Sequence, residues 1–178
     1  KNKIERWINA AISIKCDILL PFDGDDPFTD LLIGKKCAKK LEDEKLCLVK
    51  AINLPCGCFT YAINLKSLQR VAKKFDTSDS EMMWAFFEKD SETKYGEYDC
   101  ELNRYYSEIN NLRVTVDYPE DINLARKIAK ILENNSMDIN AENIVKIWSK
   151  NPDIFKENQH LQEIYLNNQS AIINKYRI

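Results

Sequence analysis

The chain has 178 residues, 44% of them apolar and 30% charged, which is enough for one domain with a buried core and unlike a disordered or fibrous protein. With 26 basic and 28 acidic residues the formal charge is −2, so no overall field favours nucleic acid. No apolar run reaches the roughly 20 residues of a membrane span, and the opening Lys1-Asn2-Lys3-Ile4-Glu5 is not a signal peptide.

Residues 3–14 place Ile4, Trp7, Ile8, Ala11 and Ile12 on one helical stripe. The sequence therefore opens inside a helical pattern, and residues before Lys1 are expected. Residues 16–22 are almost wholly apolar and predict a strand buried on both faces. It runs into the polar turn Asp23-Gly24-Asp25-Asp26-Pro27. Residues 29–42 predict a helix with Leu31, Leu32, Cys37, Ala38 and Leu41 inward. Strands are expected at 46–52 and 58–63, followed by a helix over 65–75 with Leu65, Leu68, Val71 and Phe75 on one face. Ser78 and Glu81 read as a capping box opening a helix through Phe87, and 93–99 as an edge strand.

Leu112, Val114 and Val116 alternate with Arg113 and Thr115 and predict a strand ending at Asp117. Pro119 suits a first helical turn, and Glu120 and Asp121 suit its dipole. Ile122, Ala125, Ile128, Ala129 and Leu132 form the expected buried stripe of that helix. Two more helices are predicted at 140–149 and 157–172, separated by Pro152. Strands alternating with helices argue for an α/β fold with a mainly parallel sheet.

Only four glycines occur, Gly24, Gly34, Gly57 and Gly96, and no two are close enough to cradle a phosphate. This excludes P-loop and dinucleotide fingerprints within these residues. Six cysteines occur, and Cys56-Gly57-Cys58 is their one close pair. It lacks a second pair for zinc, and the single histidine, His160, is distant in sequence and reads as a surface residue. All six are expected to be reduced, in a cytoplasmic protein. Trp84, Phe86 and Phe87 read as core or as the wall of a pocket, and Arg104-Tyr105-Tyr106 is too short for a nucleic-acid platform.

Ligands of open α/β sheets collect at the carboxyl ends of strands. Two such ends here carry acid: Asp23 and Asp25 after the first strand, and Asp117 after Val116. Asp23 and Asp25 are two apart and would share a side if the strand persists, with Gly24 permitting close approach. Hard oxygen donors suit Mg2+. The same residues also read as a polar turn, with Asp25 or Asp26 capping the helix near Pro27.

Three stretches resemble the cytidylyltransferases, among them the synthetases of cytidine monophosphate sugar acids and the transferases of spore-coat polysaccharide biosynthesis. Asp23-Gly24-Asp25-Asp26-Pro27-Phe28 resembles that family's Gln-Gly-Asp-Glu-Pro run. Val116-Asp117-Tyr118-Pro119-Glu120-Asp121 resembles its Val-Asp-Thr-Pro-Glu-Asp. Gly57-Cys58-Phe59-Thr60-Tyr61 resembles its Gly-Ile-Tyr-Ala-Tyr strand. The resemblance covers about residues 1–134 and leaves 135–178 as a helical extension. It implies a nucleotide-diphospho-sugar transferase fold, a mainly parallel mixed sheet with flanking helices. The family's opening Gly-Ser-x-Arg-Leu-Pro-x-Lys loop has no counterpart in this sequence, so the expected fold is N-terminally incomplete.

Carried over, the resemblance implies Asp25 and Asp117 as magnesium ligands at the reaction centre, with Asp23 and Asp26 as secondary acids. Weaker acceptor contacts are expected from Lys50, Gly57, Phe59, Tyr61, Ser80, Glu81 and Arg113. The implied reaction is magnesium-dependent transfer of a cytidylyl group from CTP to a sugar acid or other small anionic acceptor, releasing pyrophosphate, in cell-surface polysaccharide biosynthesis. A sugar phosphate or a phosphonate is an alternative acceptor. A non-catalytic metal-binding or assembly module is the alternative from another class. The tail residues Ile144, Ile147, Trp148, Leu161, Ile164 and Tyr165 offer apolar surface for a partner or a homodimer mate.

Overall fold

The computed structural model describes residues 2–77, 83–102 and 109–176. Its elements are α1 (Lys3–Ser13), β1 (Ile18–Leu19), α2 (Leu31–Asp43), β2 (Leu48–Ile52), β3 (Tyr61–Asn64), α3 (Leu65–Lys74), α4 (Trp84–Lys89) and β4 (Tyr95–Asp99). A 3-10 turn at Ile109–Asn111 leads to α5 (Pro119–Asn134), α6 (Ala141–Lys150), α7 (Pro152–Phe155) and α8 (Gln159–Tyr176). The predicted Ser78–Glu81 capping box and Arg104-Tyr105-Tyr106 lie outside the described residues.

The four strands form one sheet in the order β1-β3-β2-β4. β3 is antiparallel to both β1 and β2, while β4 is parallel to β2. β1, β2 and β4 thus point one way and β3 runs against them, so the sheet is mixed and the expected mainly parallel pairing does not hold. The cause is chain length. Residues 53–60 join β2 to β3, and a parallel crossover needs about a dozen residues or more.

Each face of the sheet carries its own apolar cluster, because successive strand residues point to opposite sides. Val49 and Ala51 face Ile33, Cys37 and Leu41 of α2, together with Leu124, Ile128 and Leu132 of α5 and Ile144 and Ile147 of α6. Leu48 and Ile63 face Ile4 of α1, Leu68 and Val71 of α3, and Phe86 and Phe87 of α4. Trp84 is half-buried at the margin of that second cluster.

Two helix faces, one helix cap and two strands are corrected. In α2, Leu31 and Leu32 are exposed and the buried stripe is Ile33, Gly34, Cys37 and Leu41. Asp30 sets this register. It, and neither Asp25 nor Asp26, caps the helix, accepting from the Leu32 and Ile33 N–H groups at 2.8 and 3.1 Å. Its other oxygen accepts from the Ala141 N–H at 2.9 Å, so one buried carboxylate holds the first turns of both α2 and α6. In α5, Ile122 and Ala129 are exposed, and Asp121, Leu124, Ile128 and Leu132 are buried. The predicted strand over 112–116 is an extended segment with a single bridge, between Arg113 and Cys56. Residues 16–22 supply only the two-residue β1, half-buried at the sheet edge.

Asp90 ends α4 with a side chain fully removed from solvent. It accepts from Arg70 Nη2 and Lys74 Nζ, both at 2.7 Å, and from the Thr93 hydroxyl at 3.0 Å. The Lys74 hydrogen bond comes first among the causes that hold its carboxyl well below the usual range, against the opposing effect of burial. A carboxyl lowered by folding stabilises the native state above its unfolded pKa, and that contribution fades as acid protonates it. Asp90→Asn is therefore expected to cost about 2 kcal/mol near neutral pH. In urea melts the deficit should shrink below about pH 4. A deficit independent of pH would refute the assignment.

Candidate active site

The extended segment 112–116 is stapled on two sides. Cys56 N–H donates to the Leu112 carbonyl at 2.9 Å, and Val114 N–H donates back to the Cys56 carbonyl at 2.8 Å. On the other side Val116 N–H donates to the Asp25 carbonyl at 2.8 Å. This close approach is what fixes the glycine beside Cys56. Gly57 has φ +96°, and a Cβ there would lie 2.5 Å from the Thr115 nitrogen. The expected close approach at Gly24 is not seen, since an added Cβ meets nothing within 4 Å there.

Because the acid turn is held through its backbone, its side chains are left to a cleft of about 450 Å³. Asp23, Asp25, Asp26 and Asp117 line it, with Gly57, Thr60, Tyr61, Trp84, Thr115 and Tyr165 among the other walls. Asp23, Asp25 and Asp26 can each offer an oxygen such that all three lie within 4.8 Å of one another. Lys3 Nζ pairs with Asp23 at 2.8 Å. The Asp26 carboxyl is pushed up to about 6, first by burial and then by repulsion from Asp25, Asp23 and Asp117, against a lowering hydrogen bond from Thr115. Clustered hard oxygen donors fit a divalent cation, and their all-oxygen character suits Mg2+.

Arg113 lies directly behind Asp117. Its side chain is excluded from solvent, as is that of Asp121. Arg113 Nε donates to Asp121 Oδ1 at 3.1 Å and Nη2 to Oδ2 at 3.0 Å, and Nη2 also bonds the Asp117 carboxylate. Asp121 Oδ2 further accepts the Asp117 and Tyr118 N–H groups at 3.0 and 3.1 Å, closing the start of α5. Asn158, from the tail, donates to Asp121 Oδ1 at 2.8 Å and to the Arg113 carbonyl at 3.1 Å. Burial alone would raise Asp121, but the donors from Arg113, Asn158 and Asp117 outweigh it and hold the carboxyl below its ordinary value. The Tyr165 and Tyr118 rings flank the guanidinium, with centroids 5.2 and 5.8 Å from Cζ.

The structure thus brings Asp23, Asp25, Asp26, Gly57, Tyr61 and Asp117 to one cleft. Phe59 is corrected: it is a core residue against Phe22, ring centroids 6.1 Å apart. Arg113 is buried behind the wall and holds Asp117. Lys50 is exposed on β2 with Nζ 5.6 Å from the Trp84 ring centroid. Ser80 and Glu81 lie outside the described residues. Lys3, Thr60, Thr115 and Asn168 were not anticipated from the sequence, and Tyr165 was anticipated only as partner-facing surface. Thr115 had a signal, being the polar member of the alternation before Asp117. Tyr165 and Asn168 had none, because α8 reads as an ordinary polar helix.

Two outcomes follow from this geometry. A carboxyl raised by folding destabilises the native state once ionised, and protonation between about pH 6 and pH 4 removes that penalty. Asp26→Asn should therefore raise metal-free stability at pH 7.5, by on the order of 1–2 kcal/mol after allowance for solvent screening. The gain should vanish by about pH 4 in matched denaturant melts. Gly57→Ala should cost about 2 kcal/mol or more, since both its φ and its contact with Thr115 must change. A wild-type melting curve would refute that reading.

No family model matches the chain, and no curated protein matches its sequence. Among solved structures, a cytidylyltransferase from Leptospira borgpetersenii serovar Hardjo-bovis superposes with a TM-score of 0.68 at 18% identity. The match covers 86% of this chain and 65% of that one, so this chain spans about two thirds of its neighbour's length. What the likeness establishes is the fold, a mixed α/β sheet flanked by helices, shared with a cytidylyltransferase.

Proposed function

We propose that the protein transfers a cytidylyl group from CTP to a small anionic acceptor, a sugar acid or a related compound, in cell-surface polysaccharide biosynthesis. The observation that supports this reading is the convergence of four carboxylates, Asp23, Asp25, Asp26 and Asp117, in one cleft of a fold shared with a cytidylyltransferase. Asp25 and Asp117 would hold Mg2+, with Asp23 and Asp26 as further oxygens. When bound, the ion supplies charge for the α-phosphate and acidifies the acceptor hydroxyl.

In the reaction the acceptor oxygen bonds to the α-phosphorus as the bond to the β-phosphate oxygen breaks, and pyrophosphate leaves with the electron pair. The chain's own residues position and screen. Arg113 fixes Asp117 at the cleft wall, and Gly57 lets the chain beside Cys56 pack directly against the Thr115 backbone of that wall. Thr60 and Tyr61 bring hydroxyls that suit a hydroxylated acceptor. Burial pushes the Tyr165 phenol up, so it stays protonated and can donate. No covalent nucleophile is required. Burial pushes the Cys56 thiol up to about 11, which keeps it protonated and unreactive near neutral pH. Alignment and electrostatic clamping therefore carry the rate.

The test is Mn2+ binding, followed by electron paramagnetic resonance, together with CTP-dependent pyrophosphate release across sugar acids, sugar phosphates and phosphonates. Asp25→Asn and Asp117→Asn should each reduce the rate at least about 100-fold while the circular dichroism spectrum stays native. Full rates in both variants, or no Mn2+ binding by the wild-type chain, would overturn the proposal.

A further inference from the structure

An ordinary surface helix turns its apolar residues in and its polar residues out. α8 departs from that rule. Gln162 is buried beside Leu161, whereas Ile164 and Leu166 are 44% and 47% exposed. The polar residues that the tail turns toward the body of the protein run in one row. Asn158, Gln162, Tyr165 and Asn168 stand four, three and three positions apart, which sets them along one side of a helix.

The row divides into two pairs. Asn158 and Gln162 hold the tail in place: Asn158 donates to Asp121 and to the Arg113 carbonyl, and Gln162 hydrogen-bonds the Cys56 thiol. Tyr165 and Asn168 instead line the cleft. The Tyr165 ring lies against the Arg113 guanidinium, but its hydroxyl has no hydrogen-bond partner among the described residues. Burial first, then Cys56, Asp26 and Asp117, push that phenol up, so it meets these acids as a neutral donor. An ammonium or guanidinium in its place would be drawn into pairing with the carboxylates. A phenol and a carboxamide stay available to a ligand's oxygens.

Resting on the reading of this cleft as a transferase site, we infer that α8 is the element that selects the acceptor, with Tyr165 Oη and Asn168 Nδ2 donating hydrogen bonds to the acceptor's oxygens. Metal and acceptor are then served by different parts of the chain. The carboxylates come from the acid turn and from the segment that leads into α5, and the two donors come from the tail. Donors of this kind discriminate by more than shape. An acceptor that lacks the matching oxygen leaves a donor unpaired in a place it shares with little water, and a site so built rejects the analogue more strongly than an apolar pocket does.

The test is calorimetric titration of the full chain with Mg2+ present, using glucuronate, N-acetylneuraminate and glucose 1-phosphate as probes. Tyr165→Phe keeps the ring on Arg113 and removes only the hydroxyl, and Asn168→Ala changes an exposed helical position, so both variants should fold. At least one probe should bind the wild-type chain, and each variant should weaken its binding about 10-fold while Mn2+ affinity is unchanged. Ile164→Ala, at an exposed position of the same helix, should bind as the wild type does. Unchanged probe affinity in both variants, with Mn2+ still bound, would overturn this inference and leave the transferase reading standing. A loss confined to CTP would give the two donors to the nucleotide and overturn it too. So would binding of none of the probes to the metal-loaded wild type, whereas a wild-type chain that binds no Mn2+ would remove the transferase reading and this inference together.

Discussion

A buried guanidinium is the constraint on which fold and cleft both depend. Taking the Arg113 charge out of water costs several kcal/mol unless its hydrogen bonds are met by a close, well-oriented carboxylate. Asp121 meets those of Nε and Nη2 through both of its oxygens. That pairing requires Asp121 to face inward, and the helix rolls accordingly. Leu124, Ile128 and Leu132 follow it into the core, while Ile122 and Ala129 turn out to solvent. The same carboxylate closes the N–H groups of Asp117 and Tyr118, so the start of α5 and the position of Asp117 are set by one interaction.

The acid turn is held by a different device, and the separation matters. Its anchor is the Asp25 carbonyl, bonded to the Val116 N–H. Anchoring the main chain leaves the Asp25 and Asp26 carboxylates facing the cleft. Their mutual repulsion is carried by Asp26, the half-buried member, whose carboxyl resists ionisation. A rigid scaffold that holds like charges together before any ligand arrives has already met the cost of assembling them.

Much of this was legible in the sequence because it is local. Helical periodicity located α1, α2, α3, α5 and α6 to within a few residues, and the acids that follow the two apolar runs, Asp25 and Asp117, do line one cleft. What failed was everything decided by partners distant in sequence. The alternation over 112–116 has the period of a strand, yet its backbone partners are Cys56 and Asp25, so it bridges two loops and joins no ladder. Apolar periodicity alone could not weigh Asp121 as an inward residue, since its partner Arg113 defines the buried side. Phe59 followed the resemblance into the cleft, whereas its ring is buried against Phe22 and the next two residues, Thr60 and Tyr61, line the cleft.

The tail was the least legible part, and its ties explain its role. Besides the apolar packing of α6 in the core, two buried carboxylates tie residues beyond Asn134 to the rest of the protein. Asp30 holds the Ala141 N–H where α6 begins, and Asp121 holds Asn158 just before α8. Each carboxylate already serves the body of the fold, one as the cap of α2 and the other as the partner of Arg113. Detaching the tail would leave both with a lost donor in a place water cannot readily refill. With its start fixed by Asn158, α8 lays the Tyr165 ring against the Arg113 guanidinium and brings Tyr165 and Asn168 to the cleft wall. The helix is therefore positioned by the same charge that positions Asp117, and the shape of the cleft and the docking of the tail cannot vary independently.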